Sequence, residues 1–333
     1  MTKKGLLSSF LFKNQVFNKI LKCRNQTNVH ILAYHRICEK EPDNYIFNSE
    51  LFSATVRDFD EQMRYVSENF NVINFSQLDD YSKNEKYDKN LLIITFDDGY
   101  YDNYSLAMPI LDKYELPATV FLATKNIDTG ELFWFDSVAA FFKTYSSDRI
   151  DLESIGKVLN LKELGRENAF KKVGKILKDS SESIRSDLLV EIYDKFNFQV
   201  SDKDYATACP LSWKNVIEMN NNNIDFGGHT KSHCFLNRID DDMFNSEISG
   251  SMKMIENRLG KYPDSFCYPA GVTNQKIKQY LEENNITYGV GYRHGLNVRN
   301  QIDRYDLFRE HVELDVNLSL FKANLMLPEI FMR

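Results

Sequence analysis

The sequence predicts an α/β fold, with a parallel β-sheet or barrel and a helical insertion. Short apolar runs alternate along the chain with segments in which apolar residues recur at helical spacing. This alternation is typical of parallel sheets, in which a helix connects each strand to the next. One run, Leu91 to Phe96, is almost entirely apolar, as expected for a strand that is covered on both faces.

The predicted elements of the first part of the chain follow in order. The run from Val29 to Tyr34 predicts the first buried strand. Phe59, Met63 and Val66 share one face of the next segment, which predicts a helix. This part of the chain thus contains predicted strands at 29–34, 71–75, 91–96 and 117–123 and predicted helices at 58–70 and 104–114.

The pattern changes between about Asn126 and Tyr205, where helix-like segments at 133–145 and 183–196 accompany a higher density of charge. We interpret residues 126–205 as a helical insertion in one domain that spans residues 29–333. The alternation then resumes, with predicted helices at 213–219, 243–259 and 275–284, strands at 224–227 and 265–268, and further strands near Tyr288 and Phe308.

The composition is that of a folded soluble protein, with 43% hydrophobic and 27% charged residues. The net charge of -7 argues against a nucleic-acid partner, because phosphate contacts require a concentrated positive surface. Five cysteines without a C-x-x-C pair fit a reducing compartment better than a disulfide framework. We therefore expect a cytoplasmic protein.

Residues 1–28 form a separate basic segment. No acidic residue precedes Glu39, whereas six Lys and Arg residues and a helical pattern of apolar residues occupy this stretch. A basic amphipathic helix can bind an anionic membrane surface, which would place the protein peripherally at the inner membrane. Docking on the protein's own body is the alternative. The apolar run from Gly5 to Phe12 is too short to span a bilayer and lacks a signal-peptide cleavage site.

Two adjacent carboxylates, Asp97 and Asp98, directly follow the predicted strand 91–96. Functional residues of α/β sheets and barrels lie at this carboxyl end of the strands. Two carboxylates this close resist joint ionisation unless a cation or strong hydrogen bonds stabilise them. Gly99 permits a sharp turn, so that both side chains can face one cleft. A solvated Asp-Asp-Gly turn is the alternative interpretation.

A second polar segment follows the predicted strand 224–227. His229 and His233 are four residues apart, so one helical turn would place them on the same face. Two imidazoles and one carboxylate leave coordination positions open for water and substrate, as catalytic metal sites do. Solvated surface histidines are the common alternative.

Together the two segments resemble the polysaccharide deacetylases, the NodB-homology group or carbohydrate esterase family four. Residues 95–99 (TFDDG) match the first motif of that family, and residues 229–233 (HTKSH) match the second. The resemblance extends from Val29 to about Leu314, outside the insertion. It implies a distorted (β/α) barrel of about seven strands, with the active site at the carboxyl ends of the strands.

The resemblance also implies a role for each of these residues. Asp97 would be the general base, and Asp98, His229 and His233 would hold a divalent metal, in the first place Zn²⁺. The metal would polarise the acetyl carbonyl and lower the pKa of a water molecule, whose proton Asp97 would accept.

The third motif of the family is present in altered form, in residues 265–271. Its Tyr-Pro pair is retained, and the resemblance implies that the backbone N–H of Tyr268 helps to hold the oxyanion. Many relatives pair the base with an arginine at the start of this motif, where this chain has none. Arg309, at the end of a late strand, is the candidate substitute, and a structural surface arginine is the alternative.

The leaving amine requires a proton donor. The late Leu-x-His motif that supplies it in many relatives is not found cleanly here. Residues 32–36 (LAYHR) instead resemble the rearranged members, typified by poly-N-acetylglucosamine deacetylases, in which the first strand supplies the acid. His35 is therefore the candidate acid, with His311 as its rival, and a core histidine bonded to the backbone is the alternative.

Other residues beside these motifs have weaker signals. Trp134, Phe135 and Asp136 open the insertion and could form a sugar-stacking wall, although aromatic residues at this spacing are more often part of a helix core. Cys234 and Cys267 adjoin site residues, and we interpret both as packing residues.

The sequence therefore predicts a metal-dependent hydrolase that removes an N-acetyl group from an amino sugar. The sugar could belong to a polysaccharide, a lipid-linked glycan or a nucleotide-linked glycan. A deformylase of a lipid-linked amino sugar is one alternative, and a non-catalytic carbohydrate-binding relative is another, because fold alone does not establish function. The presence of all four motif residues, Asp97, Asp98, His229 and His233, argues against the non-catalytic alternative.

Overall fold

The computed structural model describes residues 28–40, 43–83, 90–298 and 301–326. The basic segment predicted at residues 1–28 lies outside these ranges apart from Asn28, so its membrane contact stays a prediction. None of the helices in the described ranges has the length and apolar character that a bilayer span requires.

The described residues form thirteen strands and thirteen α-helices. The strands β1 to β13 are, in order, Asn28–Tyr34, Arg36–Cys38, Phe52–Thr55, Phe70–Val72, Asn90–Phe96, Ala118–Leu122, Arg149–Leu152, Lys157–Asn160, Ile224–Gly228, Ser265–Cys267, Tyr288–Val290, Asn297–Val298 and Glu310–His311. The helices α1 to α13 are, in order, Val56–Asn69, Leu78–Lys83, Met108–Lys113, Thr124–Thr129, Trp134–Thr144, Leu161–Leu164, Arg166–Lys178, Glu182–Val190, Asp202–Tyr205, Trp213–Asn220, Asp241–Leu259, Gln275–Glu283 and Leu318–Met326.

Helix α1 shows how local sequence sets these elements. The hydroxyl of Thr55 accepts the backbone N–H of Asp58 at 3.1 Å, which satisfies an N–H group that the first turn leaves unpaired. Its buried face includes Phe59, Met63 and Val66, the residues whose spacing predicts the helix. The helix therefore begins at a capping residue and packs its apolar face on the sheet core.

Most of the strands join one curved sheet in the order β11–β10–β9–β6–β5–β1. Every pair along this path is parallel. Strand β4 joins β5 in parallel, and β12 joins the start of β1 in antiparallel orientation. The central strands β5 and β6 are buried along their whole length, as expected for a parallel sheet covered on both faces.

A late segment, residues 307–311, joins the two edges of the sheet. The N–H of Leu307 donates to the carbonyl of Gly289 at 3.0 Å beside β11, and the carbonyl of Leu307 accepts from Gly291 at 3.2 Å. A few residues later, β13 pairs with β1 in parallel. The sheet thus curls into a distorted barrel, which confirms the predicted fold class.

The insertion has a hydrophobic core of its own. Helices α5, α7 and α8 surround it, and its buried residues include Val138, Phe141, Leu159, Phe170 and Leu188. The two predicted helices are present, but α7 and the antiparallel hairpin of β7 and β8 were not predicted. Each strand of this hairpin has only four residues, too few for a clear alternating pattern. The strand predicted near Phe308 begins two residues later, at Glu310.

Candidate metal centre and active site

Asp97 and Asp98 follow β5 at the carboxyl edge of the sheet, and both are buried. Asp98 has a φ of 73° and Gly99 a φ of 88°, so the chain turns sharply as soon as the strand ends. Glycine is favoured at residue 99, because side chains rarely adopt this φ and a Cβ atom there would lie 2.7 Å from Cδ2 of Leu122. Both aspartates line one pocket.

His229 and His233 lie on a loop, and the helical turn predicted between them is wrong. Strand β9 ends at Gly228, and residues 229–233 contain no helix. Thr230 and His233 instead have left-handed φ values of 61° and 54°, which turn the loop back toward the barrel. The two imidazole rings have centroids 4.8 Å apart. The four-residue spacing therefore brings the imidazoles together through a left-handed loop.

The side chains of Asp98, His229 and His233 converge on one point. The Nε2 atoms of His229 and His233 lie 3.4 and 3.2 Å from Oδ1 of Asp98. One potential ligand atom from each of the three residues lies within 4.8 Å of the other two. Burial alone would raise the pKa of Asp98, but the neighbouring imidazoles outweigh it and hold the pKa well below its usual range. The carboxylate is therefore ionised.

The hydrogen bonds around this cluster fit a divalent cation. Nδ1 of His229 lies 2.8 Å from the carbonyl oxygen of Cys267, and it must donate there because a carbonyl only accepts. Nε2 of His229 then faces Oδ1 of Asp98, which accepts no hydrogen bond from any described residue. Either a proton on Nε2 or a bound cation between the two atoms would satisfy this buried oxygen. The three residues could hold a divalent metal.

Arg309 is buried and pairs with Asp97. Its Nη1 and Nη2 atoms donate to the two oxygens of Asp97, each at 2.7 Å, while Nε donates to the carbonyl of Gly291 at 2.9 Å. The alternative interpretation of Arg309 as a surface residue is wrong, because the exposed fraction of Arg309 is 1%. Burial alone would raise the pKa of Asp97, but the Arg309 guanidinium beside it holds the pKa well below its usual range.

Asp97, His229 and Cys267 form a second group of potential ligands. Both oxygens of Asp97 already accept hydrogen bonds from Arg309, whose Nη2 also lies 3.1 Å from Sγ of Cys267. A metal ion there would lie beside a guanidinium charge, so the geometry favours the group that contains Asp98. Cys267 therefore does more than pack, because its carbonyl also orients His229.

The two candidate acids line the same pocket. His35 follows the first strand, and His311 comes two residues after Arg309. Nε2 of His35 lies 3.9 Å from Oδ2 of Asp97, and its side chain is 22% exposed. His311 stacks on Tyr292 with ring centroids 3.8 Å apart. Burial and the nearby Arg309 charge hold the pKa of His311 well below its usual range, so this imidazole is neutral. Which histidine is the acid stays a prediction.

The backbone N–H predicted to hold the oxyanion is used elsewhere. The N–H of Tyr268 donates to the carbonyl of Val290 at 3.1 Å, at the edge of β11. A donor that completes the sheet cannot also point into the pocket, so the prediction for Tyr268 is wrong in this structure. Ala270, two residues later, lines the pocket and has a left-handed φ of 53°.

Residues 84–289, more than half of the chain, match the family model described as polysaccharide deacetylase. The chain belongs to the polysaccharide deacetylase family. This match confirms the resemblance that the two motifs predict, and it includes Asp97, Asp98, His229 and His233.

Curated relatives of this family member carry a more specific name. The chain is 26% identical over 223 residues to a poly-beta-1,6-N-acetyl-D-glucosamine N-deacetylase of Staphylococcus epidermidis, covering 63% of this chain and 74% of the relative. It is 27% identical over 186 residues to the enzyme of that name in Staphylococcus aureus, covering 53% of this chain and 62% of the relative.

Solved structures of deacetylases share the fold of this family member. The deacetylase PplD of Streptococcus pyogenes superimposes with a TM-score of 0.58 at 19% identity, covering 90% of this chain and 96% of that chain. IcaB of Ammonifex degensii gives a TM-score of 0.54 at 15% identity, covering 89% and 97%.

The candidate site opens into a pocket of about 450 Å³ with aromatic walls. Trp134 and Phe135 line one side, while Asp136 is fully buried and lies outside the lining. Phe235 and Tyr292 also line the pocket, although no sequence pattern singled them out. Isolated aromatic residues in loops have no periodicity to reveal them, and the only signal was the short distance in sequence from His233 to Phe235. Sugar stacking on these walls stays a prediction.

Asp136 instead connects the insertion to the barrel. Its Oδ2 accepts the hydroxyl of Tyr100 at 2.6 Å, and its Oδ1 accepts the backbone N–H of Asn48 at 3.0 Å. Burial raises the pKa of Asp136 to about 6, even though the Arg36 charge and these hydrogen bonds act in the opposite direction. Ionised Asp136 is therefore a destabilising charge in the folded protein near neutral pH.

Asp136→Asn is expected to raise the free energy of unfolding, relative to that of the wild type, more at neutral pH than at acidic pH. A carboxyl whose pKa is raised on folding stabilises the folded state below about pH 4 and loses that contribution as the pH rises through about 6. The free energy of unfolding of the variant minus that of the wild type should rise by about 2 kcal/mol across this window, since one pKa unit corresponds to about 1.4 kcal/mol. Urea unfolding of both proteins at several pH values measures this difference, and a constant difference would contradict the assignment.

Proposed function

We propose that this chain is a metal-dependent N-deacetylase that hydrolyses acetamide groups on the amino sugars of a polysaccharide. The convergence of Asp98, His229 and His233 beside the Asp97–Arg309 pair in one pocket supports this proposal. The relatives named as poly-beta-1,6-N-acetyl-D-glucosamine N-deacetylases make β-1,6-linked N-acetylglucosamine the first substrate to test. Zn²⁺ is the proposed metal, because three nitrogen and oxygen ligands with open positions are typical of catalytic zinc.

The residues around the proposed metal have separate roles in amide hydrolysis. When bound, Zn²⁺ supplies polarisation of the acetyl carbonyl and lowers the pKa of a water molecule. Asp97 accepts the proton of the attacking water as general base. Arg309 keeps Asp97 ionised and fixes both of its oxygens, so the base is in its reactive form whenever substrate binds.

His35 is the proposed acid that protonates the leaving nitrogen, which departs poorly as an amide anion. Its imidazole is partly exposed in the pocket, and its Nε2 lies 3.9 Å from Oδ2 of Asp97. His311 is buried and neutral beside the Arg309 charge, so it lacks the acidic imidazolium proton that a general acid donates. His311 also stacks on Tyr292, and this contact supports a role for His311 in the pocket wall.

His35→Gln is therefore expected to lower kcat by about 10²- to 10⁴-fold, the usual contribution of a positioned acid or base. Bound Zn²⁺ should remain at the wild-type level, because His35 is not among the three ligands. Kinetics on the preferred substrate and metal analysis of the purified protein measure the two effects. His311→Gln is the matched comparison, and a selective loss of turnover in that variant, with His35→Gln active, would reverse the assignment.

The proposed function is tested by acetate release from β-1,6-linked N-acetylglucosamine oligomers. We expect release by the purified protein, loss of release with chelator and recovery with added Zn²⁺. N-acetylated chito-oligomers, nucleotide-linked N-acetylamino sugars and N-formyl analogues form the comparison panel. Binding of an oligomer without any acetate or formate release would identify a non-catalytic carbohydrate-binding protein and overturn the proposal.

A further inference from the structure

The loop that joins the two histidines has a backbone conformation that its own sequence does not favour. Thr230 and His233 both have left-handed φ values, which are uncommon for residues other than glycine. Such conformations persist where the surroundings determine them. The positions of the two imidazoles therefore depend on what holds the backbone of residues 229–233.

The barrel holds the carbonyl side of this loop. The N–H groups of Thr124 and Lys125, at the start of α4, donate to the carbonyls of Thr230 at 3.3 Å and Lys231 at 2.7 Å. Helix α4 directly follows β6, so these contacts relate the loop to the sheet edge that also carries Asp98.

A single side chain, Glu247 of helix α11, holds the N–H side of the loop. Its Oε2 accepts the backbone N–H of Lys231 at 2.8 Å and that of Ser232 at 2.9 Å. Its Oε1 accepts the hydroxyl of Ser232 at 2.9 Å. Glu247 is 5% exposed, so these bonds form away from competing water. Two successive N–H groups that converge on one carboxylate oxygen form a small anion-binding concavity.

We propose that Glu247 is a positioning residue of the metal centre. It fixes the left-handed loop so that Nε2 of His229 and Nε2 of His233 face Oδ1 of Asp98 before the ion arrives. Without the carboxylate, two buried N–H groups lose their acceptor, and the loop must be ordered by the metal itself, which weakens binding. This inference rests on the proposed function only in that a metal ion binds the three ligands.

Glu247→Gln tests this role, because glutamine has the same shape but replaces the charged acceptor of the two N–H groups by a weaker, neutral one. We expect the Kd for Zn²⁺, measured in competition with a chromogenic chelator, to rise by about 10- to 100-fold, as other supporting residues of metal ligands show. At saturating Zn²⁺, kcat should return to near the wild-type value, because Glu247 does not contact the pocket. A residue that only stabilised the fold would not separate kcat from Zn²⁺ affinity in this way.

Glu256→Gln is the matched control, on the exposed side of the same helix, and it should bind Zn²⁺ as the wild type does. Ser232→Ala removes only the hydroxyl contact and should give a smaller loss of affinity, which decides the question if Glu247→Gln does not fold. A Kd within about twofold of wild type in the decisive variant would overturn the role of Glu247. Absence of Zn²⁺ binding in the wild type would instead overturn the proposed metal centre itself.

Discussion

Asp98→Asn is expected to abolish both metal binding and deacetylation. Asparagine has nearly the same shape, but it carries no charge, and only one of its two terminal atoms is an acceptor. The two imidazoles would be left to bind a dication without the carboxylate that balances its charge in a buried site. We expect kcat/KM to fall by at least about 10³-fold, since loss of one preorganised oxyanion-stabilising group already costs about 10²- to 10³-fold.

Metal analysis and acetate-release kinetics, made on the same protein preparation, measure the two losses. Asp112→Asn, on the exposed face of α3, is the control for removal of a carboxylate and should retain both properties. A variant Asp98→Asn that kept stoichiometric Zn²⁺ and wild-type turnover would contradict the assignment of the metal centre.

Asp97→Asn is expected to abolish turnover while bound metal is retained. Removal of a general base costs about 10²- to 10⁴-fold in rate, and Asp97 is not one of the three ligands. The substitution also leaves the buried guanidinium of Arg309 without its carboxylate partner among the described residues. Breaking one side of a buried ion pair destabilises a protein by about 3–5 kcal/mol.

A double variant separates the catalytic effect from the loss of stability. Asp97→Asn combined with Arg309→Met removes both charges, so the free energy of unfolding should recover toward the wild-type value. Turnover should stay low, because the base is still missing. Recovery of activity together with stability in the double variant would show that Asp97 is structural, and loss of metal in Asp97→Asn would show that it is a ligand.

The sequence predicted the parts of the site that depend on local order along the chain. Asp97 and Asp98 end a buried strand, and a strand end has one place in a parallel sheet. The positions of His229 and His233 after β9 followed in the same way. Apolar periodicity likewise indicated most helices and strands of the barrel, because burial of one face requires it.

The errors arose where geometry depends on contacts between distant segments. A spacing of four residues does not distinguish a helical turn from the left-handed loop that Glu247 and α4 support. The use of the Tyr268 N–H depends on its pairing with Val290, which no local pattern indicates. The contact between Arg309 and Asp97 joins residues 212 positions apart, and only barrel closure brings them together.

The late segment that joins the two edges of the sheet, residues 307–311, lies outside the part of the chain that the family model matches. The three proposed metal ligands lie within the region that matches the family model, whereas His35 precedes it and Arg309 and His311 follow it. The proposed acid and the arginine that pairs with Asp97 are thus supplied by flanking parts of the chain, whereas Asp97 itself lies within the matched region. Substitutions in those flanks can therefore change the proposed acid while the three proposed metal ligands stay intact.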